Sequence, residues 1–327
     1  LSMMWSGLGP SLVMLGFLLA PAGAPLVAIP IDNTPVAKGA AQCRAAEVGV
    51  QALGSGGPIA EGSRAGTSYA LWVDGKARVL IDTGPGSFIR FGEAGLKVAD
   101  LEAIAFSHFH ADHSGGLSGI LNTGSFEGGN APLTIIGPEA ASVFPGTRDF
   151  LAAQFGRGKG AWAYLHGYLD AGDGRRPLAV REIPAADAEQ GPITRVEIAG
   201  GMVLQAIPVH HGPAPSLAYT VTVRGRTILF AGDQSAASSK FDRFTAALRP
   251  DLLIAHHVIP EGEGQPIGLH RSPQDIGRMA ANIAPMRLLL SHHMDRSFSR
   301  LEEGLAAIAQ HYSGTVTIAS DGTCVTL

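Results

Sequence analysis

The segment His108-Phe109-His110-Ala111-Asp112-His113 constrains this chain more than any other stretch. It follows an apolar run, Leu101 to Phe106, that reads as a short buried strand. In extended backbone, positions 108, 110 and 112 share parity, so their side chains leave the strand on the same side. His113 next to Asp112 at a turn lets the six residues serve two neighbouring ions rather than one. Imidazole suits zinc, and a carboxylate can complete or bridge such a site. Gly115-Gly116 then permits a tight turn into a helix. A solvated polar loop has no need of this arrangement, and the segment is read as a metal-binding strand end.

Other predicted strands end in the same way. Pro208-Val209-His210-His211 and Leu290-Ser291-His292 each close an apolar run on histidine, and another run ends in Gly232-Asp233. Strand ends along one sheet edge are where a rigid scaffold gathers ligands from distant sequence. From about Glu47 the chain alternates short strands with Gly-rich turns, including the hairpin signal Asp74-Gly75. Helical spacing appears between about residues 145 and 184, at Gln274 to Ile283 and at Leu301 to His311. Two similar halves of this kind predict two packed sheets with helices outside, an α+β sandwich. Apolar residues at 46% supply the core for it and exclude wholesale disorder.

Together, His108-x-His110-x-Asp112-His113, Gly232-Asp233 and Ser291-His292 resemble the metallo-β-lactamase superfamily. Four further stretches narrow the resemblance to the branch holding ribonuclease Z and the metal-dependent arylsulfatases. They are Leu53 to Pro58, Leu80 to Gly86, Val209-His210-His211-Gly212-Pro213 and His270-Arg271-Ser272-Pro273. The similarity runs from about residue 47 to the C-terminus. It implies a four-layer αββα sandwich holding two Zn²⁺. By position, His108, His110 and His211 would hold one ion, Asp112, His113 and His292 the other, and Asp233 would bridge them. His211 is preferred over its neighbour His210 because Gly212-Pro213 follows it, with His210 as the alternative. Asp112 and His270 are the catalytic candidates. In the resembling branch the histidine matching His270 protonates the leaving group, a role imidazole can fill near neutral pH. The plainer reading of His270 is a loop residue that caps or hydrogen-bonds.

Several other residues carry two readings. Asp82 either orients a metal-bound histidine or is a turn residue before Thr83-Gly84. His256-His257 stand where ribonuclease Z has a His-Glu pair, with His257 in place of the Glu. They read either as tuning the adjacent metal site or, in the preferred reading, as an ordinary polar strand end. His293 and His311 are given no role. Trp162, Tyr164, His166 and Tyr168 form either a lid over the zinc edge or the packed face of an amphipathic helix.

The domain reading is a signal peptide over 1–28, a linker over 29–46 and a hydrolase domain over 47–327, with a helical insertion or lid at about 145–184. The first rests on the apolar run Leu12 to Ala20 and the small residues that follow it, although a basic N-terminal flank is missing. It predicts a periplasmic or secreted protein with no stable membrane insertion after processing. Cys43 and Cys324 either pair in that oxidising setting or remain as two buried thiols. A net charge of −4 without any basic run predicts a small-molecule substrate and no nucleic acid partner, and leaves a homo-oligomer open. The expected activity is a binuclear zinc hydrolase using a metal-bridging hydroxide on small phosphate- or sulfate-type esters. The alternatives are a carbonyl hydrolase for a lactone, thioester or β-lactam, and a non-catalytic zinc-binding module.

Overall fold

The computed structural model describes residues 31, 34–129, 131–171 and 174–327. The segment read as a signal peptide lies outside them. Strands β1 (Val48–Gly54), β2 (Ser68–Val73), β3 (Lys76–Ile81), β4 (Ala103–Ala105), β5 (Leu133–Pro138) and β6 (Leu178–Ile183) form the first sheet. The second is built from β7 (Thr194–Ile198), β8 (Met202–His211), β9 (Ala214–Val223), β10 (Arg226–Phe230), β11 (Leu252–His256), β12 (Arg287–Ser291) and β13 (Thr315–Ile318). The last strand, β14 (Cys324–Thr326), crosses back to the first sheet and pairs with β1. Strand orders are β14-β1-β2-β3-β4-β5-β6 and β13-β12-β11-β10-β9-β8-β7.

Burial on both faces explains the near-continuous apolar runs of the strands. Val79 and Ile81 of β3 point between the sheets, where they meet Leu217, Tyr219, Ile228 and Ile254 of the second sheet. Leu80, between them in sequence, points outward to Phe91, Leu117 and Ile120. On the other side Leu229 and Leu253 pack against Ile276, Met279 and Ile283 of the helix Pro273–Ile283. A strand covered on both faces loses the apolar/polar alternation of a half-exposed one. The result is the predicted four-layer sandwich. Helix Pro273–Ile283 is well started: Ser272 accepts from the Asp275 amide, and Pro273 occupies the first turn.

Two stretches differ from their sequence readings. Residues 36–45, read as linker, form a helix that buries Val36, Gly39, Ala40 and Cys43. Cys43 is disulfide-bonded to Cys324, which settles the open question of their pairing and ties this helix to β14. The stretch at 145–184 is only partly helical, since its last residues form β6, paired in parallel with β5. Among the described residues, no helix is long and apolar enough to cross a membrane.

The topology also decides where chemistry can gather. Strands β3, β4 and β5 run parallel, as do β10, β11, β12 and β13. The C-terminal ends of β4, β10, β11 and β12 deliver His108, Asp233, His256 and His292 to one edge of the sandwich, the usual place for ligands in parallel sheets.

Candidate metal centre

At that edge the structure brings all seven expected ligands together. The first set is His108, His110 and His211: His108 Nε2 lies 2.9 Å from His110 Nδ1, and His110 Nδ1 lies 3.4 Å from His211 Nε2. The second set is His113, His292 and Asp112. His113 and His292 face each other through Nε2 at 3.1 Å, and Asp112 Oδ2 is 3.5 and 3.2 Å from those same atoms. Asp233 stands between the sets. Its Oδ2 is 3.6 Å from His211 Nε2 and 3.5 Å from His113 Nε2, and its Oδ1 is 3.4 Å from His292 Nε2.

These distances test whether the donors fit a metal. Ligands about 2.0–2.1 Å from a tetrahedral ion lie roughly 3.3 Å from each other, which follows from the coordination geometry. The observed edges run from 2.9 to 3.6 Å. Nitrogens that converge on one another, rather than on hydrogen-bond acceptors, suit a cation at their centre. The donor chemistry, imidazole with carboxylate, suits zinc.

Neighbouring groups orient these rings. His113 Nδ1 is 2.8 Å from Asp82 Oδ2, and Asp82 is itself gripped by the Ser107 amide and hydroxyl, both at 2.7 Å. Asp82 is therefore the orienting carboxylate rather than merely a turn residue. His211 Nδ1 donates to the Leu269 carbonyl at 2.9 Å, which leaves Nε2 for the cluster. His210 turns away, its Nδ1 2.8 Å from Ser235 Oγ, so the geometry selects His211. Asp82 and His292 both adopt left-handed backbone, φ 59° and 57°, a conformation costly for residues with a Cβ.

His256 was underrated by the sequence reading. Its Nδ1 is 2.6 Å from Asp233 Oδ1, and its Nε2 is 3.2 Å from the buried Tyr69 hydroxyl. It therefore fixes the Oδ1 side of the central carboxylate, the side that faces His292. The parallel register, in which His256 lies opposite Ser291, puts it at the level of His292. His257 and His293 are buried behind the site against each other, and His311 is exposed. His270 reaches the cluster, its Nδ1 3.9 Å from Asp233 Oδ2 and without a hydrogen-bond partner. The aromatic group at 162–168 is not a lid. Tyr164 bonds Asn122, Tyr168 bonds the Leu121 carbonyl, and Trp162 packs near Phe155, all outside the first sheet.

Charge is divided sharply among these groups. Burial works against ionisation of Asp233, but the charges of His292 and His270 and a hydrogen bond from His113 hold its carboxyl well below the usual range. Asp112 is likewise lowered by His113 and His292 against its burial. Burial also opposes the charging of His292, yet Asp233 and Asp112 lift it to about 9, and Asp112, Asp82 and Asp233 raise His113 well above normal. Without metal, protons on His113 and His292 offset part of the charge of Asp82, Asp112 and Asp233, and metal uptake at these rings releases them. His108, His110, His256, His257, His270 and His293 are instead lowered, chiefly by burial.

The sign for stability of the metal-free protein follows. The lowered histidines make unfolding take up protons below about pH 6.5, the model-peptide value, so stability falls there as pH drops. His113 and His292 keep native protons that the unfolded chain sheds above about 6.5, so stability falls again as pH rises towards 9. Thermal melts of chelator-treated protein across pH are therefore expected to peak near 6.5. A flat profile from 6.5 to 9 would show that His113 and His292 do not hold those protons.

The sequence profile of the metallo-beta-lactamase superfamily matches residues 62–243, more than half of the chain. The chain belongs to the metallo-β-lactamase superfamily. A ribonuclease Z of Mycolicibacterium paratuberculosis is 28% identical over 286 residues, covering 83% of this chain and 95% of the relative. Among solved structures, human tRNase Z, short form, aligns with a TM-score of 0.62 at 23% identity, covering 85% and 98% of the two chains. The metallo-beta-lactamase fold protein YhfI from Bacillus subtilis aligns with a TM-score of 0.64 at 19% identity, again covering 85% and 98%. Like other members, this metallo-β-lactamase-superfamily chain is a hydrolase with a His/Asp cluster able to hold metal.

These relatives correct one expectation. Nucleic acid was excluded as a partner on net charge, but the curated relatives are named for ribonuclease activity and a structural neighbour for tRNA. Formal charge over the whole chain omits bound cations, which are the largest local charges at such a site. A net −4 therefore does not exclude a polyanionic substrate.

Proposed function

We propose that this protein is a dinuclear zinc phosphodiesterase whose substrates include RNA. The observation that carries the reading is the position of Asp233, within 3.6 Å of both imidazole sets. A carboxylate placed between the two sets would be available to both cations, and a pair of cations there would suit in-line displacement at phosphorus. When bound, such cations acidify water and offset negative charge building on the phosphoryl oxygens. His108, His110 and His211 would hold one, Asp112, His113 and His292 the other, with Asp233 on both. The ribonuclease Z relatives support a phosphodiester over a sulfate ester or carbonyl substrate.

His270 supplies the remaining function. It lies beside Asp233 without being part of either imidazole set, and its Nδ1 has no partner. Burial lowers it to about 4, so the free ring is neutral near pH 7. A phosphodiester anion in the site works in the opposite direction and favours the imidazolium, ready to protonate the departing oxygen. His270→Ala is expected to keep both metals and to slow alkyl or ribose leaving groups about 10²–10⁴-fold, the range for general acid catalysis. Nitrophenolate, which needs no proton to leave, should change little. Equal slowing of both classes would refute the proton-donor role.

We also infer export, supported by the Cys43–Cys324 disulfide and the apolar run Leu12 to Ala20. The test of the activity is elemental analysis of purified protein with rates on RNA, a bis-aryl phosphodiester, an aryl sulfate and a β-lactam. Phosphodiester turnover should dominate with two zinc ions per chain. Dominant β-lactam turnover would overturn the proposal.

A further inference from the structure

Three consecutive residues, Leu269, His270 and Arg271, reach three different parts of the centre. The Leu269 carbonyl orients His211, and the His270 ring faces Asp233. Arg271 turns the other way, and its guanidinium is buried at 5% exposure. Nη2 and Nε donate to Gln234 Oε1 at 3.0 and 3.3 Å, and Nη2 also donates to Asp242 Oδ1 at 2.8 Å. Gln234, the residue after Asp233, is fixed in turn by its Nε2 donating to the Ala231 carbonyl at 2.7 Å. Gly232, Gln234, His256, His270 and Arg271 line a crevice of only about 10 Å³, so the two loops pack closely against each other.

We infer that Arg271 is a positioning residue, which clamps the His270 loop to the Asp233 loop and so sets where the His270 imidazole stands over the reacting bond. Two physical arguments support this. A buried guanidinium is costly unless its donors are satisfied. Here Gln234, on the loop that carries Asp233, and Asp242, on the helix Ser239–Thr245 that follows it, accept from it. A planar fork bonded to two acceptors fixes direction as well as distance, which a lysine ammonium does not. A backbone displacement of 1 Å at His270 is enough to cost about 10²-fold in rate.

The clamp rests on the proton-donor reading of His270 for its effect on rate, and the test separates the two. Arg271→Met is compared with His270→Ala and the double variant, using phosphodiesters with good and poor leaving groups. Arg271→Met should keep its metal content and slow the poor leaving groups roughly 10–100-fold, with little change for nitrophenolate. The double variant should be no slower than His270→Ala. Arg271→Lys, which keeps the charge but loses the fork, should resemble Arg271→Met. Equal slowing of both leaving-group classes, or additive losses in the double variant, would overturn the clamp.

A second readout does not depend on turnover. In zinc-loaded protein with ¹⁵N-labelled histidine, the His270 ring signal, assigned by its loss in His270→Ala, should shift in Arg271→Met. An unmoved signal overturns the clamp whatever His270 does in catalysis. If His270→Ala lacks leaving-group dependence, the proton-donor reading fails, and the clamp is then judged on this signal alone. Should Arg271→Met fail to fold, Gln234→Met removes the same bond from the other loop and is held to the same outcomes.

Discussion

Asp233→Ala is expected to reduce bound metal to one ion per chain or fewer and to lower phosphodiester turnover by at least about 10³-fold. The size follows from its surroundings. Asp233 is 3% exposed and lies within 3.6 Å of His113, His211 and His292, with His256 at 2.6 Å. No neighbouring carboxylate replaces it, since Asp112 lies against His113 and His292 of the second set. Removing it leaves imidazoles gathered with one fewer negative charge to neutralise two dications. It also frees His256, whose ring then faces only Tyr69 among its present side-chain bonds. The check is elemental analysis together with single-turnover rates. Two tightly held metals in the variant would show that Asp233 does not bridge.

The second large effect concerns stability. Replacing Cys43 and Cys324 by serine, or reducing them, is expected to lower Tm by roughly 10 °C. The disulfide closes a chain of sequence separation 281, and the loop-entropy relation puts the stabilisation at about 5 kcal/mol. Cys43 is fully buried on the N-terminal helix, and Cys324 pairs with Gln51 across β1 and β14. Loss of the bond therefore removes the covalent tie between this helix and β14, leaving the helix joined to the sheet only through the backbone leading into β1. Calorimetry with and without reductant measures the effect. An unchanged Tm with two titratable thiols would mean that the bond is absent in solution, and it would remove the main support for export.

Local pattern carried much of the site. The parity of positions 108 and 110 is a property of a few consecutive residues and holds in the segment after β4. Asp112 and His113 instead lie in the helical turn Ala111–Ser114, so strand parity does not account for Asp112. The four layers were legible for a similar reason, since apolar runs such as Leu252 to Ala255 report burial on both faces. The edge at which strands end in His or Asp was visible as a repeated motif. The helical stretch around residue 150 was also legible, although the strand after it was not, because β6 is short and only partly buried.

Residue order and chemistry alone thus determined the donor types, the layered architecture and the strand ends that carry the ligands. The tertiary structure decided matters that depend on distant partners. It turned His211 inward and His210 towards Ser235. It raised His256 to the level of His292 through the β11–β12 register, joined Cys43 to Cys324, and set Arg271 between two loops. The physical reason is that a strand's own sequence states which side chains alternate. Which of two neighbours faces the metal centre depends on pleat phase and register, and these are set by hydrogen bonds to chain far away in sequence.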